Sequence, residues 1–394
     1  MSQAASKRHA ASPVAYHATS SPLVARGVSA LLLALLTACG AEMPTDPTGP
    51  TPAGAGALVT LTGATSTPIL PAAIPGEPQA RGDARGLNAS GQVTGAELGM
   101  TPSDDFRPYR WTASGATMLV GCCGTAWGAD LNDGGVVVGT TQQSQVVGAR
   151  GFVATGISME TLSILPGADP DLNASAVAIN NAGQIAGTSP SGDFTSAHHA
   201  VLWSASRVIQ DLGTLGGTRS AAIDINGSGQ VIGWSQIAGD AATHFFLWSA
   251  SNGMRDLNVV IGPAITNVVE INDVGQIIGT FTTTDGQSHA FVYSPGSGLR
   301  DLGTLGGTTS TPTGLNNHGQ VVGSSTTASG ETHAFLWTPT DGIADISAIA
   351  GITNVGRLND NLQTVSGHAA PGGFVSFAKS GIPQLVQLEV TTTR

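Results

Sequence analysis

The chain has 394 residues, 41% hydrophobic, 10% charged and 5% aromatic, with 54 glycines and 26 acidic against 15 basic residues for a net charge of −11. The scarcity of Lys and Arg, with no basic stripe, excludes nucleic acid as a partner, because phosphates need such residues to displace their counterions. Glycine at roughly twice its usual share of about 7% requires many turns rather than long helices.

The first 38 residues contain no Asp or Glu, carry Lys7, Arg8 and Arg26, and run through the apolar stretch Val28 to Leu36. That stretch is too short to span a bilayer and has the layout of a secretory signal. Leu36-Thr37-Ala38-Cys39-Gly40 resembles the lipobox of bacterial lipoproteins. The resemblance implies removal of residues 1–38, lipidation of Cys39, and membrane contact at the bacterial cell envelope through that lipid. Without residues 1–38 the charge falls to about −14, with 12 basic residues left against all 26 acidic ones. Residues 39–57 are mostly Pro, Thr, Gly and Ala, with little to bury, and read as a flexible tether. The folded part, 58–394, opens on an expected strand at Leu58-Val59-Thr60-Leu61-Thr62.

From there one phrase recurs seven times: a nonpolar residue, Asn, a turn, and a short apolar strand. Its asparagines are Asn88, Asn132, Asn180, Asn226, Asn272, Asn316 and Asn359, spaced 44, 48, 46, 46, 44 and 43 residues apart. A fixed period in the forties marks an array of one supersecondary unit. The unit is clearest from Ser220 to Asp256. Ser220 to Ile225 is a first strand. Asn226-Gly227-Ser228-Gly229 is a tight turn in which Asn bonds the backbone ahead and Gly accepts positive φ. Gln230 to Ser235 returns, His244-Phe245-Phe246-Leu247-Trp248 is an aromatic third strand, and Met254 to Asn258 is a short fourth. Third strands recur at His199 to Trp203, His289 to Tyr293 and His333 to Trp337, with weaker versions at Pro108 to Trp111 and Gly373 to Phe377. The expected fold is all-β, a β-propeller of seven four-stranded blades. The strand at Leu58 is surplus to seven such units and is expected to join the last blade and help close the ring.

The phrases His333-Ala334-Phe335, Asp301-Leu302-Gly303-Thr304-Leu305-Gly306-Gly307 and Leu315-Asn316-Asn317-His318-Gly319-Gln320-Val321-Val322-Gly323 resemble the HAF family of bacterial extracellular repeat proteins. The likeness spans roughly residues 82 to 378 and is strongest from the third to the sixth repeat. It implies secretion and a repeat architecture, and it brings no catalytic residue or ligand with it.

The aligned His199, His244, His289 and His333 suggest a metal or carboxylate site. Radial geometry holds such residues too far apart to share a metal, so they are assigned to bonding the backbone of the adjoining inter-blade loop, with no metal expected. The seven asparagines are likewise assigned to turn structure. The pair Cys122-Cys123 has two readings, a vicinal disulfide or two buried thiols. Asp169-Pro170-Asp171-Leu172-Asn173 starts like a calcium loop but has Ala174 where that loop needs Gly. Trp111, Trp203, Trp248 and Trp337 close third strands and should pack between blades, whereas Trp127 and Trp234 are candidates for stacking on sugars. No Gly-x-Ser-x-Gly elbow, His-Glu-x-x-His or dinucleotide fingerprint occurs, and no cofactor is implied. The functional expectation is a secreted, lipid-anchored binding module for an extracellular glycan, peptide or protein. The alternative is a carbohydrate-active enzyme, a glycoside hydrolase or lyase with an acidic pair in the central funnel.

Overall fold

The computed structural model describes residues 59–69, 81–98, 106–119, 125–142, 148–192, 197–347, 352, 354–366 and 384–392. The signal and tether segments, Cys39, Cys122 and Cys123 lie outside these described residues. In chain order the strands are β1 (Val59–Pro68), then β2 (Arg81–Leu87), β3 (Val93–Leu98), β4 (Phe106–Thr112) and β5 (Gly115–Met118). The second blade holds β6 (Thr125–Leu131), β7 (Val137–Gln142), β8 (Arg150–Thr155) and β9 (Ser158–Thr161); the third holds β10 (Ser175–Ile179), β11 (Ile185–Pro190), β12 (His198–Trp203) and β13 (Ile209–Asp211). The fourth contains β14 (Gly216–Ile225), β15 (Val231–Ile237), β16 (Thr243–Ser249) and β17 (Gly253–Asp256), followed by the one-turn helix α1 (Leu257–Val260). The fifth contains β18 (Ile265–Ile271), β19 (Ile277–Thr282), β20 (Ser288–Ser294) and β21 (Gly298–Asp301), and the sixth β22 (Gly306–Leu315), β23 (Val321–Thr327), β24 (Thr332–Thr338) and β25 (Gly342–Asp345). Each of these six sheets is an antiparallel meander, and a single parallel pair, Ser288 with Thr309, joins the fifth to the sixth.

The seventh blade departs from the sequence expectation. Its second strand is β26 (Gln363–Ser366), its third is β27 (Gln384–Thr392), and its outermost is β1, brought from the other end of the chain. The segment 373–377, expected to be the third strand, lies outside the described residues. β27 holds that position, pairing with β26 on one side and with β1 along nine residue pairs on the other. The innermost position is filled by residues 354–358, with a bridge from Leu358 to Thr364. The chain thus forms a seven-bladed β-propeller in which the surplus N-terminal strand closes the last blade.

Seven buried apolar clusters follow among the described residues, six of them shared by two adjacent blades and one joining the second blade to Leu119 of the connection before it. Ala178, Ala200 and Leu202 of the third blade meet Ile225, Phe246 and Trp248 of the fourth. Val365 of the seventh meets Ala84, Tyr109 and Trp111 of the first. That last cluster makes the array a ring rather than an open solenoid, since an end-to-end stack would leave both faces in water. Trp111, Trp203, Trp248 and Trp337 are all buried in such clusters, as the third-strand pattern predicts.

Two local features recur and explain the phrase. The Gly that ends each Val/Ile-Gly step lies beneath the aromatic ring of the third strand. At Gly279 an added Cβ would sit 2.0 Å from the Asn267 carbonyl oxygen and 2.8 Å from the Phe291 ring. In addition, the first strand of each of the six complete blades carries a register shift just before its last residues, for example between Ala222 and Asp224 and between Val268 and Glu270. Such a bulge re-aims the next side chain. Here it turns the residue two before each Asn towards the axis of the ring.

Candidate functional site

Those re-aimed positions are Gly86, Asp130, Ala178, Asp224, Glu270 and Gly314, and Arg357 holds the matching place two before Asn359 in the seventh blade. Among the described residues Asp130, Asp224, Glu270 and Arg357 line, with the Asn turns, an axial channel of about 190 Å³. Arg357 reaches across from the seventh blade: its Nη1 donates to Glu270 Oε1 at 2.5 Å and lies 3.7 Å from Asp224 Oδ1. Each carboxylate also accepts a backbone N–H from a neighbouring blade. Asp130 takes that of Ile179 at 3.0 Å, Asp224 that of Ile271 at 2.9 Å, and Glu270 that of Leu315 at 2.9 Å.

Enclosure in the channel raises the pKa of all three acids, because removing water disfavours the charged form. Arg357 and the backbone donors offset part of that rise. Asp224 is nevertheless pushed up to about 7, with Glu270 as an additional repelling charge. Desolvation would lower the pKa of the Arg357 guanidinium, but the three carboxylates outweigh it and hold it further above its ordinary value. Chemically the cluster holds one permanent cation and a titratable proton. Each of the three carboxylates already accepts a backbone N–H, and Arg357 pairs with Asp224 and Glu270.

Around the cluster the seven asparagines, all buried, do more than cap turns. Asn226 Oδ1 accepts the N–H groups of Ser228 and Gln230, and the Gly229 N–H bonds back to the Asn226 carbonyl, as the turn reading requires. Its Nδ2 donates to Gln230 and to the carbonyl of Asn272 in the next blade. The same inter-blade bond links Asn88 to Asn132, Asn132 to Asn180, Asn180 to Asn226, Asn272 to Asn316 and Asn316 to Asn359. Asn359 then donates to the Asn88 carbonyl at 3.0 Å, closing a circle of seven hydrogen bonds. In the seventh turn Leu362 takes the place of Gly and adopts φ 58°. One residue further on, Asp133, Asn181, Asp273, Asn317 and Asp360 form a second, exposed tier at the channel mouth, where for example the Gly227 N–H donates to Asp273.

The four histidines sit on the opposite face and differ from expectation in their partner. Each Nδ1 bonds the carboxylate twelve residues on, in the fourth strand: His199 with Asp211, His244 with Asp256, His289 with Asp301 and His333 with Asp345, at 2.6–2.9 Å. The carboxylate, not the imidazole, holds the inter-blade loop, through N–H groups of Gly213, Asn258, Gly303 and Ser347. At His333 the Asp345 hydrogen bond raises the imidazole pKa. Among the described residues no group of three or more His, Cys, Asp or Glu side chains is arranged to hold a metal. The calcium-like segment is held from within: Arg150 donates to the carbonyls of Pro170 and Leu172, and Asn173 accepts the Ala149 N–H. Trp127 on β6 and Trp234 on β15 are both half-buried.

No family model and no curated protein matches the sequence. Among solved structures, the chain is similar to TolB from Acinetobacter baumannii, at 11% identity and TM-score 0.41 over 64% of this chain and 62% of that one. It is also similar to a puromycin-hydrolyzing peptidase from Mycobacterium tuberculosis (11% identity, TM-score 0.48, 73% and 50% coverage). The β-propeller domain of the Trilobed protease from Pyrococcus furiosus is a third (8%, 0.35, 68% and 99%). The chain therefore spans about half to three fifths of the first two. At these identities the likeness concerns the fold alone.

Proposed function

We propose that the chain is a non-catalytic binding module of the bacterial cell envelope, lipid-anchored at Cys39, as its likeness to HAF-repeat and lipobox sequences implies. The observation that carries the reading is the commitment of the axial carboxylates. Asp130, Asp224 and Glu270 each accept a backbone N–H from another blade, and Arg357 forms ion pairs with the last two. An acidic pair that must protonate a leaving group and activate water needs carboxyls open to substrate. The ligand is an extracellular glycan, peptide or protein, met on the face that carries the inter-blade loops. Glycan and peptide arrays probed with purified protein should give saturable binding without product release; new reducing ends or new peptide termini would contradict the reading. Anchoring is tested separately by Cys39→Ser, which should move the protein from membrane to soluble fractions while its melting transition is unchanged.

A further inference from the structure

Sheet edges invite pairing with other chains, and natural sheets blunt them with short strands, charge or proline. Six blades follow that rule at the rim: β5, β9, β13, β17, β21 and β25 are three or four residues long. Five of the six also carry charge, at Glu160, Asp211, Asp256, Asp301 and Asp345 among others. The seventh blade does not. Its rim strand β1 has ten residues, Val59–Pro68, with no charged side chain and a single proline at its very end. Among the described residues no strand pairs with the side of β1 turned away from β27, and Thr65, Ser66, Thr67 and Pro68 are all exposed.

We propose that β1 is a strand-addition edge whose occupant is β1 of a second copy, laid antiparallel across a two-fold axis. Two arguments select a second copy. Antiparallel self-pairing of an uncharged strand sets no like charges against each other, and it brings Thr and Ser opposite Thr and Ser, a favourable cross-strand pairing. Furthermore, β1 follows directly on the 39–57 tether. Copies anchored in one membrane would present this strand side by side at high effective concentration. The second argument rests on the proposed anchor; the first does not. Edge pairing alone buries less than the roughly 1,200 Å² of a stable interface, so the dimer is a weak and reversible one.

Sedimentation equilibrium of the soluble Cys39→Ser chain tests the pairing apart from the anchor. A monomer–dimer equilibrium is expected, with a dissociation constant on the order of 10 μM to 1 mM. The double substitution Thr65→Lys and Thr67→Lys should leave it monomeric with the melting transition unchanged. Hydrogen exchange of unsubstituted β1 provides a second readout, with protection of residues 64–67 rising with protein concentration. A chain that stays monomeric throughout that range, a dimer that survives the lysines, or one that does not dissociate on dilution because strands have swapped would each overturn the proposal.

Discussion

Replacing Arg357 by Met keeps an unbranched stem across the channel and removes the one cation that lines it among the described residues. Glu270 would lose a 2.5 Å partner and Asp224 the charge 3.7 Å away, while both stay enclosed. Deleting one member of a buried ion pair typically costs about 3–5 kcal/mol, chiefly because the remaining charge is stranded. The cost should depend on pH. Asp224 titrates near 7 with the guanidinium present and higher without it. An acid whose folded pKa lies above its unfolded value binds more protons in the native state, so its contribution to stability is full below about pH 4 and is lost as pH rises through the folded value. Arg357→Met should therefore be most destabilised near pH 8 and regain much of the loss near pH 5, where Asp224 is protonated. Adding Asp224→Asn and Glu270→Gln to it should restore most of the stability at pH 8. Denaturant midpoints at the two pH values read this directly. A variant equally stable to the wild type at both, or weaker at pH 5 than at pH 8, would refute the reasoning.

The remaining predictions concern the repeat itself. Asn272→Ala strands the Gln276 N–H and removes one donor each from Gln276 Oε1 and from the Asn316 carbonyl, which keeps the Gly319 N–H. It should cost roughly 2–4 kcal/mol by denaturant melts, more than a single net hydrogen bond, because buried groups are left unpaired. Gly279→Ala places a methyl 2.0 Å from the Asn267 carbonyl oxygen and should cost about 3 kcal/mol or more, seen as a lowered melting temperature or loss of soluble protein. His333→Gln removes an imidazole whose pKa is raised by Asp345. The pair's contribution is full below about pH 6.5 and fades as pH rises through the raised value, so the loss in melting temperature should be largest in acid and vanish in alkali; a loss that grows with pH would contradict the assignment.

The period and the turn chemistry were legible because they are written residue by residue: Asn at the first turn position, Gly at the fourth, an aromatic strand some twenty residues on. The closing role of β1 followed from counting strands. What lay between repeats was not legible. One unit shows that Asn226 can bond the turn ahead of it, but the destination of its Nδ2, the Asn272 carbonyl, exists only once the blades are in a ring. The axial cluster was hidden because its positions carry Gly, Asp, Ala, Asp, Glu, Gly and Arg, which share no chemistry. Reading the residue two before every Asn would have found it, together with the bulge that aims it. The partners of the histidines were in plain view, since Asp211, Asp256, Asp301 and Asp345 each follow by twelve residues. In the last repeat, the aromatic segment 373–377 drew attention from the alternation of β27, whose Val386 and Leu388 are buried.

The central claim is that seven blades close on themselves between the first and the last. Spin labels at positions 90 and 361, in a background with Cys39, Cys122 and Cys123 replaced by Ser, measure that closure by electron–electron dipolar coupling. The Asn361 side chain donates to the Ala89 carbonyl at 2.9 Å, so the two turns are neighbours in the ring. Allowing for label linkers, a narrow distance distribution below about 25 Å is predicted; an open stack of seven sheets spaced about 10 Å apart would separate the labels by roughly 60 Å and would contradict the ring.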